Sequence, residues 1–143
     1  MDMTAEAGRV ACIERLRQAI NRHDVDAMAH CFDPDYESLF PAHPDRAFRG
    51  HEQMRKNWSR IFAALPDMHA ELVRCAADGD TVWAEWEWGG TRPDGVPMAQ
   101  RGVTIQGIPE QRIAWVRLYM EPVQHGTGTD AAVGASIDSG RRP

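Results

Sequence analysis

The sequence predicts an α+β fold, a cone-shaped α+β barrel in which three N-terminal helices pack on a strongly curved, mainly antiparallel sheet. Three observations predict it. Apolar residues recur at helical spacing as far as Leu65, and from Met68 to Val123 the period drops to two and stays there. The element order is helix, helix, strand, helix, then four strands joined by short turns. A curved sheet of that length is only partly covered by three helices on its concave side, which leaves a conical pocket.

Each element has a local cause. Ala11, Ile13, Leu16, Ala19 and Ile20 form the stripe of a first helix, with Thr4 placed to cap it. His23-Asp24 breaks that helix and supplies a new N-cap, after which Val25, Met28, Ala29 and Phe32 line a short second helix stopped at Pro34. Tyr36 to Phe40 reads as a strand, and Pro41, Pro44 and Gly50 mark a loop. The third helix starts at His51-Glu52 and carries Met54, Trp58, Ile61, Phe62 and Leu65 on one face until Pro66. Four strands follow, His69 to Ala77, Thr81 to Thr91, Met98 to Ile108 and Arg112 to Val123. Asp78-Gly79-Asp80, Pro93-Asp94-Gly95 and Pro109-Glu110-Gln111 make their turns. Residues 1–123 then form one domain, and from Gln124 onward Gly, Thr, Ser, Asp and Ala without apolar periodicity read as a flexible tail.

Composition excludes several functions. The chain has 143 residues and a net charge of −5, and its 16 basic residues are scattered, so nucleic acid and anionic membrane surfaces are not expected partners. Cys12, Cys31 and Cys75 are odd in number, far apart in sequence and lack C-x-x-C spacing, which argues against a disulfide framework. No apolar run approaches the roughly 18 residues of a membrane span, and the first residues lack a signal-peptide layout, so a cytoplasmic location is expected. The six histidines show no H-x-H, H-x-x-x-H or H-E-x-x-H spacing, and no phosphate loop or G-x-S-x-G turn is present. Neither a metal nor a cofactor is expected.

The most informative segment is Thr81 to Trp88, which holds three tryptophans. Alternation puts Ala84, Trp86 and Trp88 on one strand face and Trp83, Glu85 and Glu87 on the other. Two inward indoles suit either a packed core or a cup for a flat apolar molecule.

Arg49-Gly50-His51-Glu52 opening the third helix, Arg101-Gly102-Val103-Thr104 on a strand, and Arg112-Ile113 leading to Leu118-Tyr119-Met120-Glu121-Pro122 resemble the nuclear transport factor 2-like superfamily in its SnoaL-like branch. The resemblance spans Ile13 to Val123. It implies a cup lined by Glu37 and Leu39, by Met54, Trp58, Ile61 and Leu65, and by Trp86, Trp88, Gln100, Gly102, Thr104, Gln106, Leu118 and Met120. A one-residue shift of the first strand would instead turn Tyr36, Ser38 and Phe40 inward.

The same resemblance frames the chemistry. The Arg and two Asp of the related epoxide hydrolases correspond here to Trp86, Trp88 and Leu118, so that constellation is absent. The proton-shuttling set of the ketosteroid isomerases is not intact either, whereas the acid-plus-polar arrangement of polyketide cyclases can be drawn from Glu37, Gln100 and Gln106, with Glu121 at the rim. Glu37 would be the base, since a carboxyl desolvated by indoles suits proton transfer at neutral pH; alternatively it points outward to a surface Arg. Gln100 and Gln106 would orient a carbonyl, or else serve as ladder neighbours of the Trp N–H groups. His43, in the loop over the mouth, is either a further acid or base or a solvated side chain.

Two functions follow. One is a cofactor-independent isomerase, cyclase or dehydratase acting on an apolar, polyketide-like small molecule. The other is a non-catalytic module that binds such a molecule or only dimerises. A homodimer through the convex sheet face is expected, because Trp83, Val103, Ile105, Trp115 and Tyr119 there alternate with Glu85, Glu87, Arg101 and Arg117.

Overall fold

Helix α1 (Met3–Asn21) opens the computed structural model, which describes residues 3–140. Its buried face is Cys12, Ile13, Leu16, Ala19 and Ile20, a stripe at helical spacing in which each large side chain contributes roughly 1.5–3 kcal/mol by leaving water. The helix is tied down at both ends. Near its start, Arg9 Nε donates to Ile108 O at 2.6 Å and its Nη2 lies 3.0 Å from Asp80 Oδ1. At its end, the Asn21 amide donates to Ala70 O and accepts from Ala70 N, imitating a strand partner.

His23 turns the chain with φ of 54°, and Asp24 caps α2 (Val25–His30) by accepting from Ala27 N at 2.9 Å. Strand β1 (Phe32–Leu39) follows, then a 3₁₀ turn (Pro44–Arg46), strand β2 (Phe48–Arg49) and α3 (His51–Ala64). The remaining chain forms β3 (His69–Asp78), β4 (Thr81–Thr91), β5 (Pro97–Gly107), β6 (Ile113–Pro122) and α4 (Thr129–Gly140). The sheet order is β2-β1-β6-β5-β4-β3, antiparallel except where β1 runs parallel to β6. Helix α4 lies within the segment that the sequence reads as a flexible tail, and it is exposed over residues 129–138.

The sheet is made to curve. Register shifts between Leu72 and Arg74 on β3, and between Phe32 and Glu37 on β1, add residues to one strand of a pair and bend it. At Gly102 the β5 backbone approaches β6 so closely that a Cβ would stand 2.0 Å from Tyr119 O. Helix α1 packs on β3 and α2, whereas α3 packs on α2 and β1. The helices therefore close one end of the cone around Ala70, Val82, Ala84, Ile108 and Ile113, leaving the far stretches of β4 to β6 uncovered.

The second register shift overturns the expected face of the first strand. The three exposed residues Asp33, Pro34 and Asp35 form the irregularity, and beyond it Tyr36 and Ser38 are buried, at 2% and 3% exposure. Glu37 and Leu39 therefore face away from the hollow. Glu37 sits opposite Arg49 of β2, whose Nη2 donates to its Oε2 at 2.6 Å.

On the convex face Trp83 and Tyr119 are 41% and 37% exposed. Glu85 and Glu87 already have partners within the chain, Arg74 at 3.1 Å and Arg101 at 3.7 Å. Arg117 donates to the Tyr119 hydroxyl. Cys12 and Cys31, distant in sequence, meet where α1 crosses α2, with the Cys12 thiol directed at Cys31 O. Among the described residues no helix is long and apolar enough to cross a membrane.

Candidate functional site

The hollow left by the helices is a cavity of about 830 Å³ between α3 and the concave face of β1, β4, β5 and β6. Helix α3 presents Trp58 and Ile61 to it at helical spacing, with Leu65 added at its C-cap, and β4 presents Trp86 and Trp88 at strand spacing. Leu118 and Met120 of β6 continue the apolar wall, and Gln100, Thr104 and Gln106 line β5. All of these residues line the one cavity.

Besides Glu37 and Leu39, two more of the expected lining residues lie elsewhere. Met54 is 1% exposed but fills the core where α3 packs on α2, one turn before Trp58 reaches the hollow. Gly102 does not line the cavity, because β5 is pressed against the β6 backbone there.

The aromatic wall is internally braced. Trp58 stands edge-on to Trp88 with ring centroids 5.5 Å apart, and Trp86 is tilted against Trp88 at 6.1 Å. Trp86 N–H donates to Thr104 Oγ1 at 2.9 Å. Trp88 Nε1 is itself wholly enclosed and has no hydrogen-bond partner, the sole fully enclosed polar side-chain atom without one among the described residues. Gln100, its direct partner across the β4–β5 ladder, makes no side-chain hydrogen bond within the described residues.

The expected acid–base set does not assemble. Glu37 is outside, paired with Arg49. His43 does not line the cavity; its Nε2 lies 2.8 Å from Glu121 Oε1, so the pair joins the loop after β1 to the end of β6. Gln106 does line it, but its Nε2 donates to Val82 O and Thr104 O. Both partners are acceptors, which fixes the amide orientation and leaves only its carbonyl oxygen free. It cannot offer the N–H that a developing oxyanion needs. Among the described lining residues there is no Asp, Glu or His.

Other polar groups take their place. Tyr36 and Ser38 project from β1 into the cavity roughly 7 Å apart along the strand, and neither hydroxyl has a partner within the described residues. Burial among Phe32, Phe48 and His51 pushes the Tyr36 phenol well above its ordinary pKa, so it remains a proton donor. Arg46, Arg60 and Arg92 are exposed and line the same cavity, which places them where it meets solvent. The inward register of Tyr36 and Ser38 was one of two sequence alternatives. The arginines carried no signal that distinguishes them from other surface charges.

The profile of the SnoaL-like domain family matches residues 13–116, most of the chain. The protein belongs to the SnoaL-like family. Solved structures agree with this SnoaL-like assignment in fold. IdmH, a candidate polyketide cyclase from Streptomyces antibioticus, superposes with a TM-score of 0.70 at 21% identity, covering 79% of this chain and 91% of that one. An epoxide hydrolase of M. tuberculosis reaches 0.70 at 16% identity, covering 81% and 84%. A protein with a ketosteroid isomerase-like fold from Catenulispora acidiphila, in complex with trimethylamine, reaches 0.66 at 20%, covering 74% and 82%. At these identities the likeness is one of fold, the nuclear transport factor 2-like cone. No curated protein sequence matches the SnoaL-like chain.

Proposed function

We propose that this SnoaL-like domain binds an apolar, ring-containing small molecule whose carbonyl or hydroxyl oxygen is held by Tyr36, with Ser38 as a second polar contact. One observation carries the reading. An 830 Å³ cavity walled by three indoles holds unpartnered hydroxyls but, among its described lining residues, no carboxylate or imidazole. Its size suits a drug-sized ligand. The apolar wall supplies affinity, and the hydroxyls supply selection, because a ligand lacking an acceptor leaves them without a partner.

Tryptophan fluorescence titrated with fluorenone and with fluorene, its hydrocarbon counterpart, tests the reading. Fluorenone is expected to quench the emission, and Tyr36→Phe to weaken fluorenone about tenfold while leaving fluorene unchanged. Emission indifferent to both compounds up to their solubility limits would sink the proposal.

A second reading, acid-assisted rearrangement of a ketone, is favoured by Tyr36 itself, a phenol held protonated beside a second hydroxyl. It needs a base other than Glu37. Deuterium entering the position next to the carbonyl of α-tetralone in D₂O, faster with wild type than with Tyr36→Phe, would support it. Exchange at the protein-free rate speaks for binding alone.

We also propose a homodimer through the convex face, supported by the exposed Trp83 and Tyr119. Charge pairing across the two-fold axis is not needed, since Glu85 and Glu87 are paired within the protomer. Three free cysteines fit a reducing, cytoplasmic compartment.

A further inference from the structure

We infer that the ligand is an amphipathic acid, a hydrophobic ring or chain whose carboxylate is held at the cavity mouth by Arg46 and Arg60. The inference rests on the ligand-binding reading above and specifies its chemical class. Every charged residue that lines the cavity among the described residues is an arginine. This holds in a chain where acids outnumber bases, 21 to 16. The three come from separate elements: Arg46 from the 3₁₀ turn before β2, Arg60 from α3, and Arg92 from the β4–β5 turn.

Their partners differ. Arg92 Nη2 lies 3.0 Å from Asp94 Oδ2, so its charge is already balanced. Arg46 and Arg60 have no ion pair and no side-chain hydrogen bond among the described residues. On α3 the lining residues Asn57, Arg60 and Ala64 precede Trp58, Ile61 and Leu65 by one position each, about 100° around the helix. The apolar stripe therefore faces the hollow, and a parallel stripe holding Asn57 and Arg60 turns along its edge. A ligand seated against the indoles with an anionic end leaving the hollow meets these guanidiniums, which bind carboxylates in a two-pronged geometry. A neutral ligand of the same shape gains nothing from them.

Quenching of the cavity tryptophans by pyrenebutanoate and by pyrenebutanol separates the possibilities. The acid is expected to bind about tenfold tighter than the alcohol at low salt, with the preference shrinking as salt is raised. In Arg46→Gln/Arg60→Gln the acid-to-alcohol ratio should fall toward one, and an alcohol affinity that remains measurable certifies the fold of the variant. Equal binding of the two probes by wild type, or a ratio untouched in the double variant, overturns the inference and leaves the ligand-binding reading standing. If neither probe quenches wild type, that reading fails and this one with it.

Discussion

The cavity has two unlike walls. The β4 wall lies inside the sheet, paired antiparallel on both sides, and its alternation runs without interruption from Thr81 to Thr91 along β5. It presents Trp86 and Trp88, rigid, apolar and braced by Trp58. The β1 wall lies next to the edge, runs parallel to β6 through a register shift, and is flanked by the two-residue β2. It presents Tyr36 and Ser38, hydroxyls with no partner within the described residues. The unbroken ladder to β5 can carry the heaviest side chains because each is held by a neighbour directly across it. The irregular strand can turn polar groups inward because its bulge selects the face. On the proposed ligand-binding reading, one wall would hold the ligand and the other would select it.

The sharpest way to break this contrast is to remove the tryptophan wall. Trp86 is 1% exposed, and its N–H is bonded to Thr104. Trp86→Ala is expected to lower the unfolding free energy by about 3–5 kcal/mol, the range for deleting a buried aromatic side chain, and to leave Thr104 without its donor. Urea denaturation measures it. A loss under about 1 kcal/mol would mean that the wall is not built into the core and that the two walls do not differ as described.

Glu37 gives the opposite extreme. Its carboxylate and Arg49 are 41% and 63% exposed on the outer side of β1, so their ion pair is screened by water. Glu37→Gln is expected to leave fluorenone affinity unchanged and to shift stability by no more than about 0.5 kcal/mol. A collapse of affinity would return Glu37 to the cavity and exchange the faces of β1.

The same contrast explains what was legible in the sequence. That Trp86 and Trp88 share a face could be read from alternation, because β4 has no irregularity along β5, whereas the direction of that face came from the family resemblance. Helical spacing put Trp58 and Ile61 on one face of α3 together with Met54, and did not show that Met54 stops short of the cavity. The face of Glu37 could not be read, because the bulge at Asp33 to Asp35 changes the register before the alternating stretch begins. Its partner Arg49 belongs to a strand too short to show a period. The arginines at the mouth escaped for another reason: a charged residue in a turn or on a helix is exposed in any fold, and only the shape of the cavity gives Arg46 and Arg60 a common place. Gln106 was legible as a lining residue, but not as one whose N–H groups are held by Val82 and Thr104, since that depends on the backbone of a neighbouring strand.

The smallest effect concerns how the two walls are anchored at the open end. Thr91, the last residue of β4, donates its N–H and its hydroxyl to the two carboxylate oxygens of Asp67, each at 2.7 Å, fastening the tryptophan wall to the segment after α3. Those hydrogen bonds hold the Asp67 carboxyl below its ordinary pKa. A group whose folded-state pKa is lowered adds stability that is fully present above its unfolded value, near 4, and is lost as pH falls through the lower folded value. Asp67→Asn should therefore narrow the stability difference between neutral and strongly acidic solution, leaving a slightly flatter profile below pH ~4 and a small loss at neutrality. The β1 wall is joined to β6 by a different pair, His43 and Glu121, which Asp67→Asn does not touch. Hydrogen exchange at Thr91 should accordingly quicken in the variant while the amides of Tyr36 and Ser38 keep their rates. Equal acceleration on both strands would show that the walls open as one unit, and the division of labour between them would then have no dynamic counterpart.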